Sequence, residues 1–180
     1  MAGDYQPGDP LREVQLAKEL GVSRGPVRDA LLQLSQEGLL VYRPNSGVRV
    51  GQPPSDQTRE LIVTLRRQIE VFAIENAFEQ YTEEHRKEWD RALDRMFIAC
   101  KNNDAAEIVL ADVAFHEAIL KASNQPDLVP IWTQLCAAMR FTYTRLENSL
   151  AIYAEHEAII QAYDQKDKAS MIKRIEENLI

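Results

Sequence analysis

The sequence predicts a mainly α-helical chain in two parts, a small helix-and-hairpin unit followed by an all-helical bundle. Three observations predict it. Apolar residues recur at three- and four-residue spacing through most of the chain. Two short runs, "LLVYRP" and "GVRVG", read as strands around a turn at Pro44–Asn45–Ser46–Gly47. A break at "VGQPPSDQT", residues 50–58, holds two consecutive prolines that forbid continuous helix.

The elements follow in order. "LREVQLAKEL" places Leu16, Ala17 and Leu20 on one helical face, and Gly21 is a natural stop. Ser23 suits the N-cap of the next helix, with Pro26 in its first turn, where no intrahelical N–H bond is lost. Val27, Ala30, Leu31 and Leu34 form its expected buried stripe, and Gly38 ends it. With the hairpin after it, this order is that of a winged helix-turn-helix. Beyond the break, Leu61, Leu65, Ile69, Phe72, Ala73, Asn76 and Ala77 trace one face of a long helix. Thr82 caps a second, with Trp89, Leu93, Met96, Phe97 and Cys100 inward, and "NDAAEIVLADVAFHEAILKAS" is a third, with Ile108, Ala111, Phe115, Ala118 and Ile119 in register. Further helices through Trp132, through "LAIYAEHEAIIQAYDQ" and through "KDKASMIKRIEENLI" complete a six-helix antiparallel bundle. The expected boundaries are 1–52 for the first domain, 53–56 for a linker and 57–180 for the bundle.

Charge divides the same way. The 180-residue chain carries −7, yet residues 1–52 hold six Lys/Arg against six Asp/Glu, so the excess negative charge lies wholly in the second part. That excludes a protein wrapped uniformly on nucleic acid. No apolar stretch reaches membrane-spanning length. "MAGDYQPGDPLRE" has neither the cationic nor the apolar region of a signal peptide. Cys100 and Cys136 match no metal or redox spacing and read as reduced core thiols of a cytoplasmic protein.

In a helix-turn-helix the second helix enters the major groove N-terminus first. Arg24 and Arg28, four apart and opposite the apolar stripe, are therefore placed to meet base edges, where the arginine fork matches guanine O6 and N7. Ser23 and the free N–H groups at that helix end suit a phosphate, and Gly25 admits close backbone approach. Arg43 and Arg49 bracket the hairpin, and a tip of Asn45, Ser46 and Gly47 is small enough for a minor groove. The competing reading is two solvated arginines paired with Asp29 or Glu37.

The segment "PGDPLREVQLAKELGVSRGPVRDALLQLSQEGLLVYRPNSGVRV" resembles the DNA-binding domain of GntR-family bacterial transcription regulators. The helical remainder is similar to the FadR-like branch, whose C-terminal FCD domain binds an effector and dimerises. The resemblance implies a homodimer on double-stranded DNA, with a pseudo-palindromic operator, and a small carboxylate effector in the bundle. It also implies a further helix ahead of Pro7–Gly8, where only "MAGDYQ" stands, and so a less stable first domain.

Two of the three histidines fall on helices of the bundle. Asp112 and His116, at i and i+4, can reach one ion, and His156 sits among Ile152, Ile159 and Ile160 and faces inward; His85 lies in a charged turn. Taken alone, an Asp-x3-His pair such as Asp112 and His116 is more often a helix-surface ion pair. Many FCD domains hold a divalent metal (Zn, Ni or Mn) with one Asp and three His. The resemblance maps these onto Asp112, His116, His156 and Asn178, the last being an amide where the pattern has His. An amide oxygen is a poorer ligand than imidazole for zinc or nickel, which leaves open weaker binding, a water in the fourth position or no metal. Arg66 matches the pattern's pocket arginine. Arg140 is a second cation for an anionic effector, or an ion-pair partner of helix carboxylates, with Tyr143 one turn on. Two alternatives stand beside the regulator: a bundle that only dimerises, and a metal-dependent enzyme with Glu117 or Glu155 as base.

Overall fold

The computed structural model describes residues 5–43, 47–139 and 148–179 and divides them into two units, the first up to Ser55 together with residues 137–139, the second residues 56–136 and 148–179. In the first, α1 (Glu13–Leu20) stops at Gly21, whose φ of 67° lets its N–H reach back to the Ala17 and Lys18 carbonyls. α2 (Arg24–Gln36) starts at Ser23, which holds the extended N-cap backbone but makes no capping hydrogen bond with its side chain.

The sheet has three strands where the sequence predicts two. β2 (Leu40–Arg43) and β3 (Gly47–Val50) form the hairpin, and β1 (Pro10–Leu11) adds to the other side of β3, giving the antiparallel order β1-β3-β2. A two-residue strand containing a proline has no periodicity to detect, and only its partner reveals it. The wing-tip residues Asn45 and Ser46 lie outside the described residues.

The core of this unit is small: Ala17, Val27, Leu31 and Leu40, with Leu11, Leu16, Val48 and Val50 packed against it. Two members of the expected α2 stripe are absent from it, since Ala30 is exposed and Leu34 is 36% exposed. α1 has eight residues against thirteen in α2, so the flank and last turn of α2 run past what its neighbours cover. Leu20 at the end of α1 is likewise exposed.

The second unit contains α3 (Asp56–Ala77), a 3-10 turn at Phe78–Gln80, α4 (Glu83–Asn102), α5 (Ala105–Ala122), most of α6 (Leu128–Met139, whose last three residues group with the first unit), α7 (Ser149–Asp164) and α8 (Lys168–Asn178). Side chains start several of them. Thr82 and His85 form a reciprocal capping box on α4, and Asp104, Asn148 and Asp167 cap α5, α7 and α8. The main core joins Trp89, Met96, Ile108, Phe115, Ile119, Ile159, Met171 and Ile175, with Phe78, Tyr81, Trp89 and Tyr163 meeting edge to face. A second cluster holds Ala73, Val113, Leu120, Trp132 and Cys136.

α3 buries only part of the face its apolar pattern suggests, Ala73 and Ala77, and turns a neighbouring face inward with them. Leu61, Leu65 and Phe72 are exposed, while Ile62, Arg66, Glu70, Ala73, Ile74 and Ala77 are buried. An apolar-stripe reading discards a face that carries two charges. Here Arg66 and Glu70 neutralise each other at i and i+4, which makes that face buriable.

Candidate functional site

Two places concentrate the chemistry, one in each unit. At the front of α2, Arg24 and Arg28 keep side chains 60% and 63% exposed. Both reach Glu13 on α1, Arg24 Nη2 at 3.4 Å and Arg28 through Nε and Nη2 at 3.3 Å. Asp29 acts on Arg28 through its charge, more weakly than Glu13 does. The hydrogen bonds from Arg28 hold the Glu13 carboxyl below its ordinary range. Glu13 was absent from the sequence-derived set, because nothing local links it to residues eleven and fifteen positions on.

Gly25, between the two arginines, has open space where a Cβ would stand. Arg43 is exposed, whereas Arg49 donates from Nη1 to the Gly8 carbonyl at 2.9 Å and ties the wing to the chain ahead of β1. Gly47 begins β3 at φ 73°, a left-handed conformation that favours glycine.

The second place is a buried polar cluster built by α3, α5, α6, α7 and α8. Asp112 and His116 lie one turn apart on α5, and α7 brings His156 to them. Asp112 Oδ1 stands 3.1 Å from His156 Nε2, which stands 3.2 Å from His116 Nε2. Asn178 Oδ1, from the end of α8, is 3.0 Å from His116 Nε2. Both histidines are fully buried, and Asp112 and Asn178 nearly so.

The outer nitrogens fix the tautomers. His156 Nδ1 is 2.7 Å from the Ile152 carbonyl, which can only accept, so that nitrogen carries the proton. His116 Nδ1 faces Glu70 Oε2 at 2.6 Å. Burial alone would raise the Glu70 pKa, but His116 and then Arg66 outweigh it and hold the carboxyl at about 2, so it too accepts. The two Nε2 atoms converge with two side-chain oxygens, and each presents a lone pair when its ring carries the outer proton alone. Such a set suits a divalent ion, and a histidine whose other nitrogen is held by a carboxylate or carbonyl is the usual metal-site arrangement. Asp112 shows the same balance: burial raises its pKa, while His156 and the charge on its neighbours bring it well below the usual carboxylate range.

Arg66 is 5% exposed. Its Nε donates to Glu70 Oε1 at 2.7 Å, its guanidinium carbon lies 5.4 Å from the centre of the Trp132 ring, and Nη2 stands 3.8 Å from Asp112 Oδ2 with no hydrogen-bond partner among the described residues. Trp132 Nε1–H donates to the same Glu70 oxygen at 2.7 Å. The sequence reading missed Glu70 and Trp132 as members of this cluster; the available signal was the four-residue step from Arg66 to Glu70. Arg140 and Tyr143 fall outside the described residues. Glu155 is half-buried and accepts from Asn178 Nδ2 at 3.1 Å, and Glu117 pairs with Lys121 at 3.0 Å.

Comparison with known proteins places both units. Residues 1–50 match the model of "Bacterial regulatory proteins, gntR family", and residues 61–179 match the FCD domain. The chain is 29% identical to the gluconate operon transcriptional repressor of Bacillus subtilis, over 99% of this chain and 76% of that protein. It is 28% identical to the transcriptional regulator McbR of Escherichia coli, over 92% of this chain and 77% of that one. The solved structure of E. coli McbR/YncC superposes with a TM-score of 0.79 at 26% identity, covering 98% of this chain and 86% of that one. These families and relatives are transcription regulators rather than enzymes. With a winged helix-turn-helix ahead of an FCD helical domain, the chain belongs to the GntR family of bacterial regulators.

Proposed function

We propose that this GntR-family regulator acts as a cytoplasmic homodimer on a pseudo-palindromic DNA operator and is controlled by a small carboxylate bound beside a divalent ion in the FCD domain. The observation that carries the ligand half is the convergence of His116 Nε2, His156 Nε2, Asp112 Oδ1 and Asn178 Oδ1 next to a buried, incompletely hydrogen-bonded Arg66.

Each side chain has a definite task in this reading. Asp112, His116, His156 and Asn178 hold the ion; Glu70 and the Ile152 carbonyl orient the two rings. Among the fully buried groups Arg66 offsets one of two carboxylates, so a divalent ion leaves one positive charge in excess. A carboxylate balances it, and Arg66 Nη2 is a donor free to receive that anion. The ion itself supplies an electrophilic anchor for the effector's oxygens. Sugar acids are the first ligands to screen, because one relative is named for the gluconate operon.

On the DNA side, Arg24 and Arg28 read bases, while Ser23, Gly25, Arg43 and the wing (Asn45, Ser46 and Gly47) position the module on phosphates. Dimerisation is supported by Leu61, Leu65 and Phe72, which leave an apolar stripe on the outer face of α3. The effector acts on DNA binding to the extent that its affinity differs between two placements of the paired DNA-binding units.

The test is R28A in DNA titrations at fixed salt. We expect a loss of about 1–3 kcal/mol on the operator and a smaller one on random sequence. Equal losses on both would reduce Arg28 to a phosphate contact.

A further inference from the structure

We infer that Asn178 is the fourth donor to the ion, aimed by Glu155, and that it shifts the site toward harder divalent ions than a histidine there would select. The inference rests on the metal reading above and deepens it. An amide side chain can present either end, and here the ends are distinguished. Asn178 Nδ2 donates to Glu155 Oε2 at 3.1 Å, and since a carboxylate only accepts, the oxygen end is the one turned to the cluster. There Oδ1 lies 3.0 Å from His116 Nε2, whose other nitrogen is committed to Glu70.

Oδ1 thus stands beside the Asp112, His116 and His156 donor atoms, which all lie within 4.8 Å of one another. The neighbouring separations of 3.0, 3.1 and 3.2 Å are those of adjacent donors on one ion, consistent with bonds of ~2.1 Å. Asn178 is also well anchored. α8 begins at the Asp167 cap and buries Met171 and Ile175 in the main core before delivering Asn178 from its last turn. The resulting set has two imidazole nitrogens, one carboxylate oxygen and one amide oxygen. Imidazole favours nickel, copper and zinc, whereas carbonyl and carboxylate oxygens suit manganese and magnesium. Exchanging one imidazole for a carbonyl therefore narrows the ordinary advantage of Ni2+ and Zn2+ over Mn2+.

The experiment titrates chelator-stripped, full-length protein with Mn2+, Zn2+ or Ni2+ alone, by calorimetry and, for Mn2+, by electron paramagnetic resonance. N178H should raise the Ni2+ to Mn2+ and Zn2+ to Mn2+ affinity ratios by about tenfold or more. N178A should weaken Mn2+ binding, and E155A should weaken it by ~10-fold through loss of the amide's orientation. N178D, which keeps an oxygen donor, should retain Mn2+ binding and serves if N178A fails to fold. N178A and E155A both binding every ion within twofold of wild type, or N178H leaving the ratios unmoved, would overturn the assignment. Binding by N178H but not by wild type would overturn Asn178 as donor while leaving the site standing; no binding by either would remove the metal reading itself.

Discussion

Glu70 holds a demanding position in the buried cluster. One carboxylate, 2% exposed, receives Arg66, Trp132 and His116 together. Removing it strands the buried Arg66 charge and the indole N–H at once. E70A should therefore lower the unfolding free energy by about 3–5 kcal/mol in urea titrations of the full chain. A loss under about 1 kcal/mol would mean that Arg66 finds another partner. Glu13 is the counterpart in the first unit, exposed and weak by comparison. On the reading that Arg24 and Arg28 meet DNA, Glu13 competes for them, so E13Q should raise affinity for random DNA a few-fold at low salt, with the gain fading as salt is added. A loss of affinity instead would show that Glu13 preorganises the arginines.

At the scale of the element, α3 is the informative helix because it is amphipathic twice over. One face is apolar in sequence and exposed in the structure; the other carries charge and is buried. The exposed stripe of Leu61, Leu65 and Phe72 follows four- and seven-residue steps, the spacing of a helix that packs on another helix. On the dimer reading, L65D combined with F72D should halve the mass seen by light scattering while leaving the helical circular dichroism intact. A monomeric wild type, or a variant still dimeric, would locate self-association elsewhere. In α4 and α5 most local signals hold, although Phe97 of α4, expected inward, is 39% exposed. Thr82, Asp104 and Asp167 cap where a short polar side chain precedes an apolar-periodic run, and α5 buries Ile108, Ala111, Phe115 and Ile119 as their spacing demands.

For the whole molecule the division into two units sets the expectations. The first unit rests on a four-residue buried core, the second on two clusters and a polar centre. A ligand of that centre stabilises only the unit that contains it. Divalent ion at about 100 times its Kd should add ~2.7 kcal/mol to the FCD-domain transition in calorimetry, reversed by chelator, and leave the winged-helix transition where it was. Equal shifts in both transitions would show that the units unfold together. On the proposed function, the charge split should have a matching consequence: the acidic half repels the duplex and leaves DNA contact to the neutral, arginine-tipped half.

The sequence by itself determined the two-part architecture, the helix starts and stops, the pair of arginines at the front of α2 and the inward turn of His156. These depend on interactions within about one helical turn, or on a periodicity that one helix displays alone. The third strand, the exposed flank of α2, the buried face of α3 and the place of Glu70 were decided only by the tertiary structure. Their partners lie far away in sequence: Glu70 meets residues 46 and 62 positions on, and His116 meets Asn178 across 62. A charge can be buried once its neutralising neighbours have been brought to it, and only the folded chain brings them there.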